Sequence, residues 1–163
     1  MAIPAVVEQL GYAGPDGCVA RGQRRPVIQS VGATRTLDKS ESGSLCLLDR
    51  AAGIVYTLPA AEEGLEFEFM ATVSVTSNAY KVITAAATQF LLGGIVVASQ
   101  TVAESGDQFA ADGSTIVAIS EDGATKGGLV GGTYKVRAIS PTQWVISGHT
   151  VGAGTLASPF ATS

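Results

Sequence analysis

Residues 66–76 carry the pattern that most constrains the fold of this chain. Five apolar residues alternate there with more polar ones: Phe67, Phe69, Ala71, Val73 and Val75. Successive side chains of a β-strand point to opposite faces, so the alternation predicts a strand with one buried face and one polar face. Two shorter apolar runs precede it, at 44–48 and 54–58, each followed by a turn. Residues 43–76 are therefore expected to form three strands joined by two short turns.

Short apolar runs recur along the rest of the chain, separated by turns about every ten residues. They predict further strands at 27–31, 80–84, 89–102, 114–120, 129–139 and 143–148. The run at 80–84 is expected to return as a hairpin partner of residues 66–76. The run at 89–102 is either one bulged strand or a strand pair broken at Gly93-Gly94. No segment keeps an apolar period of 3.6 residues, so we expect an all-β fold: a jelly-roll-like β-sandwich, or alternatively an open β-barrel.

Composition divides the chain into three parts. Residues 1–35 combine many glycines and prolines with apolar side chains and are expected to form an extended N-terminal arm, the alternative being a disordered terminus. Residues 36–148 hold most of the strand signals and form the predicted sandwich body. Residues 149–163 are a C-terminal tail of small residues, and 104–113 and 121–128 are expected to be polar loops.

Charge is distributed unevenly. The net charge is −4, but residues 1–35 carry four basic and two acidic residues, a net of +2, while residues 36–163 carry six basic and twelve acidic residues, a net of −6. A basic arm on an acidic body suits docking onto an acidic surface. Three arginines within five residues are too few to predict nucleic-acid binding. No apolar run is long enough to span a membrane, and the N-terminus has no signal-peptide pattern, so the chain is expected to be made in a reducing cytoplasm.

No pattern in the sequence predicts catalysis. His149 is the only histidine and lies near no cysteine or carboxylate cluster, and the two cysteines, Cys18 and Cys46, have neither disulfide-framework nor zinc spacing. Glu66 and Glu68 share one strand face about 7 Å apart, which would suit a glycosidase or a hard cation but is more often a solvated polar face. We expect no enzyme activity, no cofactor and no metal. Cys46, Tyr134 and Trp144 are expected in the core.

The order of the segments resembles a β-rich domain found in tailed-phage virion proteins. The resemblance covers residues 36–148 and rests on five segments in succession: GSLCLLDRAAGIVYTLP, GLEFEFMATVSVTSNAYKVIT, LLGGIVV, GDQFAADGSTIVAIS and TYKVRAISPTQWVISG. Within that group the chain looks most like capsid decoration, or cement, proteins, which sit as trimers on the outside of an icosahedral shell. Similar modules occur in tail and fibre proteins, which gives the alternative of a tail or fibre component with an adhesin role.

The resemblance implies a structural virion protein and no catalytic residues. It implies a homotrimer whose partners are the major capsid protein and neighbouring cement trimers, located on the capsid surface and assembled in the host bacterial cytoplasm. Five residues of the arm are then the expected capsid-binding residues: Leu10, Tyr12, Arg21, Arg24 and Arg25. The arginines are expected to pair with carboxylates of the capsid protein.

Overall fold

A computed structural model describes residues 24–101 and 105–163 of the chain. These residues form twelve β-strands: β1 (Val27–Ile28), β2 (Thr34–Thr36), β3 (Leu45–Leu48), β4 (Ile54–Thr57), β5 (Glu66–Ala71), β6 (Tyr80–Ile83), β7 (Phe90–Ser99), β8 (Asp107–Asp112), β9 (Ala118–Glu121), β10 (Thr133–Ser140), β11 (Gln143–Gly152) and β12 (Phe160–Ala161). One 3-10 turn, Lys39–Glu41, interrupts them. The predicted all-β sandwich is confirmed.

The strands form two sheets that pack face to face. One sheet has seven strands in the order β1-β3-β5-β10-β11-β7-β8, and the other has five in the order β12-β9-β6-β4-β2. From β1 to β7 the chain alternates between the two sheets at every strand. Consequently β1, β3 and β5 are parallel neighbours in one sheet, and β2, β4 and β6 are parallel neighbours in the other.

The core lies between the sheets and is built from the alternate residues that the strand pattern predicts. Phe67, Phe69, Tyr134 and Trp144 point inward from the seven-stranded sheet, and Tyr56 points inward from the five-stranded sheet. The rings of Phe69 and Tyr56 meet across the interface with their centroids 5.5 Å apart, and Phe69 stacks on Tyr134 at the same distance. Such aromatic contacts add to the free energy gained from apolar burial. The predicted burial of Cys46, Tyr134 and Trp144 is confirmed.

The predicted hairpin between residues 66–76 and 80–84 is wrong. β5 ends at Ala71 and pairs with β3 and β10, whereas β6 lies in the opposite sheet beside β4 and β9. The chain crosses between the sheets after Ala71, so the alternation fails there. Val73, expected on the buried face, is 37% exposed, while Val75 is buried again.

The boundaries of the body also differ from prediction. β1 and β2 belong to the sheets although they lie before residue 36. β11 continues four residues past 148, and β12 adds an edge strand to the five-stranded sheet, so much of the predicted tail is ordered. The predicted loop at 104–113 contains β8, whose polar composition reflects its position at the edge of the sheet, where most of its side chains meet solvent.

The run at 89–102 forms one strand, β7, rather than a pair. It keeps an unbroken parallel register with β11 from Phe90 to Ser99. Gly93 lies within it at φ +115, and a Cβ there would come within 2.5 Å of the Ile146 carbonyl oxygen. Glycine therefore permits the close approach of β7 to β11 at this position. No helix in the described part of the chain is long and apolar enough to cross a bilayer.

Candidate interaction surface

The solvent side of the seven-stranded sheet, here called the outer face, is unusually apolar. The side chains that alternate with the core residues of β1, β3, β5, β7, β10 and β11 point onto it. Nine of them are large and aliphatic and are half-buried or exposed: Val27, Leu45, Leu47, Met70, Leu92, Val96, Ile139, Val145 and Val151. So many exposed or half-buried aliphatic side chains on one face of a small protein mark a place of contact.

Charged side chains on the outer face are paired with one another. Arg25 lies 2.5 Å from a carboxylate oxygen of Glu68, and Glu66 lies 3.3 Å from Arg137 and 3.8 Å from Lys135. The register explains this arrangement, because Glu68 and Glu66 of β5 stand directly opposite Lys135 and Arg137 of β10. Glu66 is thus paired across the strands with Lys135 and Arg137, whereas the ion-pair partner of Glu68 is Arg25, which precedes β1.

This pairing bears on the interpretation of Glu66 and Glu68 as the catalytic carboxylates of a glycosidase. The hydrogen bond from Arg25 is the main cause that lowers the pKa of Glu68 below its usual value. A glycosidase acid needs a carboxyl group whose pKa is raised so that it holds a proton. The environment of Glu68 has the opposite effect, which favours a structural role for this pair.

The predicted arm residues fall into two groups. Leu10, Tyr12 and Arg21 lie outside the described residues. Arg24 is exposed at the start of the described chain. Arg25 turns onto the outer face, where it binds Glu68 and donates hydrogen bonds to the carbonyl oxygens of Gly43 and Ser44. Both arginines are exposed, but Arg25 is occupied by Glu68, whereas Arg24 has no ion pair among the described residues.

A second polar site lies between the sheets and was missed by sequence reasoning. Glu121, predicted to begin a loop, is the last residue of β9 and is only 1% exposed. The Thr150 hydroxyl donates to one of its carboxylate oxygens, and the Tyr134 hydroxyl lies 3.3 Å from the other. Burial raises the pKa of Glu121 to about 7, against the effect of these two donors. Val117, Ile119 and Glu121 occupy alternate positions, a signal that Glu121 shares the core face.

The other residues that could take part in catalysis or metal binding do not lie together in one site. His149 is exposed on β11 opposite Val96 and Thr133, away from Glu121. A hollow of about 340 Å³ opens beside β2, β4 and β6, and Lys81 is the only charged residue among the described residues that line it. Among residues 24–101 and 105–163, no three His, Cys, Asp or Glu side chains cluster in a way that could hold a metal ion.

Comparison with known proteins returned no match: no family model, curated protein or solved structure is significantly similar to this chain. The outer face, the paired charges on its central strands β5 and β10, and the buried Glu121 are therefore the features that bear on function.

Proposed function

We propose that this chain is a structural virion protein: a homotrimeric cement, or decoration, protein that binds the outer surface of a phage capsid and stabilises the shell. Its partners are the major capsid protein and neighbouring cement trimers, and it acts without a cofactor, nucleic acid or membrane. It is not an enzyme. It is assembled in the cytoplasm of the host bacterium and resides on the capsid surface.

The observation that carries the proposal is the outer face of the sandwich, a broad apolar surface with self-paired charges and no catalytic arrangement among its described residues. Such a surface suits lasting contact with other proteins rather than turnover of a small substrate. The order of strand segments that resembles phage decoration proteins supports the same role.

Attachment to the shell is assigned to the N-terminal arm. Leu10 and Tyr12 supply apolar contacts, and Arg21 and Arg24 pair with carboxylates of the capsid protein. Arg25 contributes by fixing the start of the arm to Glu68 and Gly43. A trimer presents three such arms, so each arm after the first binds at a high effective concentration and weak individual contacts add up to firm attachment.

The test measures binding of the purified protein to undecorated capsids by co-sedimentation. We expect Arg21→Glu/Arg24→Glu to weaken binding at least tenfold, because each substitution replaces an attraction to carboxylates by a repulsion. The matched control is Lys81→Glu/Lys126→Glu, which makes the same change in net charge on the body. These two lysines form no ion pair within the described residues. The control should bind like the wild type.

Equal binding by the arm variant and the wild type would contradict the assignment of the arm. An electron-microscopy map of the virion tests the location directly. Density for the sandwich over the shell is expected. Density confined to the tail would instead identify the chain as a tail or fibre component.

A further inference from the structure

We propose that the outer face of the seven-stranded sheet is the surface through which copies of this chain contact one another. The first argument is its exposed apolar content. Val27, Met70, Val96 and Ile139 are 55%, 38%, 41% and 44% exposed, respectively. Half-buried leucines and valines extend them into two apolar groups, one on β1, β3 and β5 and the other on β7, β10 and β11. The paired charges of β5 and β10 lie between the two groups. Methionine and aliphatic side chains with few unpaired charges are typical of the centre of a protein interface.

The solvent side of the other sheet provides an internal comparison. Its strands β2, β4 and β6 present Thr34, Thr36, Thr57 and Lys81 to solvent or to the boundary, with Val55 and Ile83 only partly exposed. Threonine and lysine are ordinary components of a solvated sheet surface. Among the described residues, large aliphatic side chains are therefore more numerous on the outer face than on the solvent side of the other sheet.

The balance of charges on the outer face indicates that its binding partner is another copy of this chain. The outer face carries three basic groups, Arg25, Lys135 and Arg137, and two acidic groups that pair with them, Glu66 and Glu68. At the border of the face, Asp112 accepts backbone hydrogen bonds from Ser114 and Thr115. Three basic groups thus match three carboxylates when Asp112 is counted. The face also carries His149, opposite Val96. A strongly acidic or basic protein finds no net charge here to bind, whereas a second copy brings an equally balanced surface.

The size of the face agrees with such a contact. Seven strands spaced about 4.8 Å apart, with central strands of six to ten residues, span roughly 600–900 Å² of projected surface. One side of a standard protein–protein interface buries about 800 Å². Lys135, Arg137, Ile139, Val145 and Ser147 also line a shallow hollow of about 130 Å³ in the face, into which a side chain of the partner can insert.

Sedimentation of the purified full-length chain tests the inference. The wild type is expected to sediment at a multiple of its 16.5 kDa mass. Met70→Asp/Val96→Asp should sediment at 16.5 kDa while still unfolding cooperatively, because both residues are exposed in the single chain and tolerate charge there. Thr34→Asp/Thr36→Asp adds the same charge to exposed positions of the other sheet and should leave the oligomer intact.

A second measurement uses the wild type alone. Oxidation of Met70 by hydrogen peroxide should accelerate when the protein is diluted from micromolar to nanomolar concentration, since dissociation uncovers the thioether. A wild type that is monomeric at micromolar concentration, or a Met70 oxidation rate independent of concentration, would overturn the inference.

This inference rests on the proposed function for the expectation that the chain forms a homo-oligomer, but its test involves no capsid. An oligomer that depends on Met70 and Val96 but does not bind capsids would refute the proposed function alone. Capsid binding by a wild type that stays monomeric would refute the copy-to-copy contact alone.

Discussion

Glu121 shows most clearly how a single residue can influence this fold. It is the only charged residue among the buried side chains of the described chain. Within the described part of the chain, no cation pairs with Glu121. β10 contributes Tyr134 and β11 contributes Thr150, and the charge of the following residue, Asp122, further raises the pKa of Glu121. The hydroxyl of Thr150 also accepts a hydrogen bond from the Gly128 backbone. One carboxyl group thus connects both sheets and the loop at 122–128.

The raised pKa of Glu121 makes stability depend on pH in a defined direction. Below its ordinary value of 4.5 the carboxyl is protonated in both the folded and the unfolded chain. Between 4.5 and about 7 only the unfolded chain releases the proton, so stability falls as pH rises. Above about 7 both states are ionised, and burial of the charge costs the folded state roughly 3 kcal/mol.

Glu121→Gln should therefore stabilise the protein at alkaline pH. The amide keeps the shape and a hydrogen-bonding oxygen but never ionises. We expect its free energy of unfolding to exceed that of the wild type by roughly 2–3 kcal/mol at pH 8.5 and to show no such gain at pH 4. Urea denaturation of both proteins at the two pH values measures the difference. Glu63→Gln, at an exposed position, is the control and should show no pH-dependent difference. A gain of equal size at both pH values would contradict the linkage.

Gly123 is a second residue whose identity the fold constrains. Its φ is +75, and a Cβ would lie 1.9 Å from the Val75 carbonyl oxygen. Gly64 has a similar φ of +90, but a Cβ there would meet no atom within 4 Å. A substitution at Gly64 therefore measures the cost of the backbone conformation alone, without steric overlap. We expect Gly64→Ala to cost about 1–2 kcal/mol through the left-handed backbone. Gly123→Ala should cost roughly 2 kcal/mol more, because Val75 has to move. Equal melting temperatures for the two variants would rule out this steric account.

At the scale of elements, β12 matters more than its two residues suggest. It pairs with β9, and the backbone N–H groups of Val117 and Ser120 donate to the carbonyls of Ala161 and Pro159. Phe160 packs against the core from this edge. The last residues of the chain therefore cover an edge strand and supply apolar contacts.

Removal of residues 157–163 should destabilise the sandwich. The truncation removes the hydrogen bonds to β9 and the contacts of Phe160, and we expect a loss of roughly 2–4 kcal/mol together with a greater tendency to aggregate through the exposed edge. Chemical denaturation and light scattering measure the two effects. Removal of Thr162 and Ser163 alone is the control and should leave stability nearly unchanged. A 157–163 truncation as stable as the control would show that β12 contributes little.

At the scale of the whole molecule, the winding of the chain makes the two sheets interdependent. Every strand from β2 to β7 lies in the sheet opposite to that of the preceding strand, so neither sheet consists of one continuous piece of sequence. In the proposed cement role, the outer face contacts other copies, while the start of the described chain, anchored by Arg25, leads to the arm that is assigned to the capsid.

Much of the local structure follows from sequence pattern because its causes are local. Alternation places Phe67, Phe69 and Ala71 inside, and turn residues mark most strand ends. The same reasoning predicts the burial of Tyr134 and Trp144 on adjacent strands. It fails at β8, a polar edge strand with little apolar content to reveal it, and at Val73, where the chain leaves the sheet.

The pairing of strands depends on contacts between distant parts of the chain. A short connection can close a hairpin or cross to an opposite sheet, and in both cases the flanking strands show the same alternation. The positions of β6 beside β4, of Arg25 on Glu68 and of Glu121 beneath Thr150 and Tyr134 all follow from such packing. Period-two patterning thus specifies which residues face the core, whereas the choice of partners is made by burial across the whole sandwich, because the apolar faces of both sheets are covered only when the two sheets pack together.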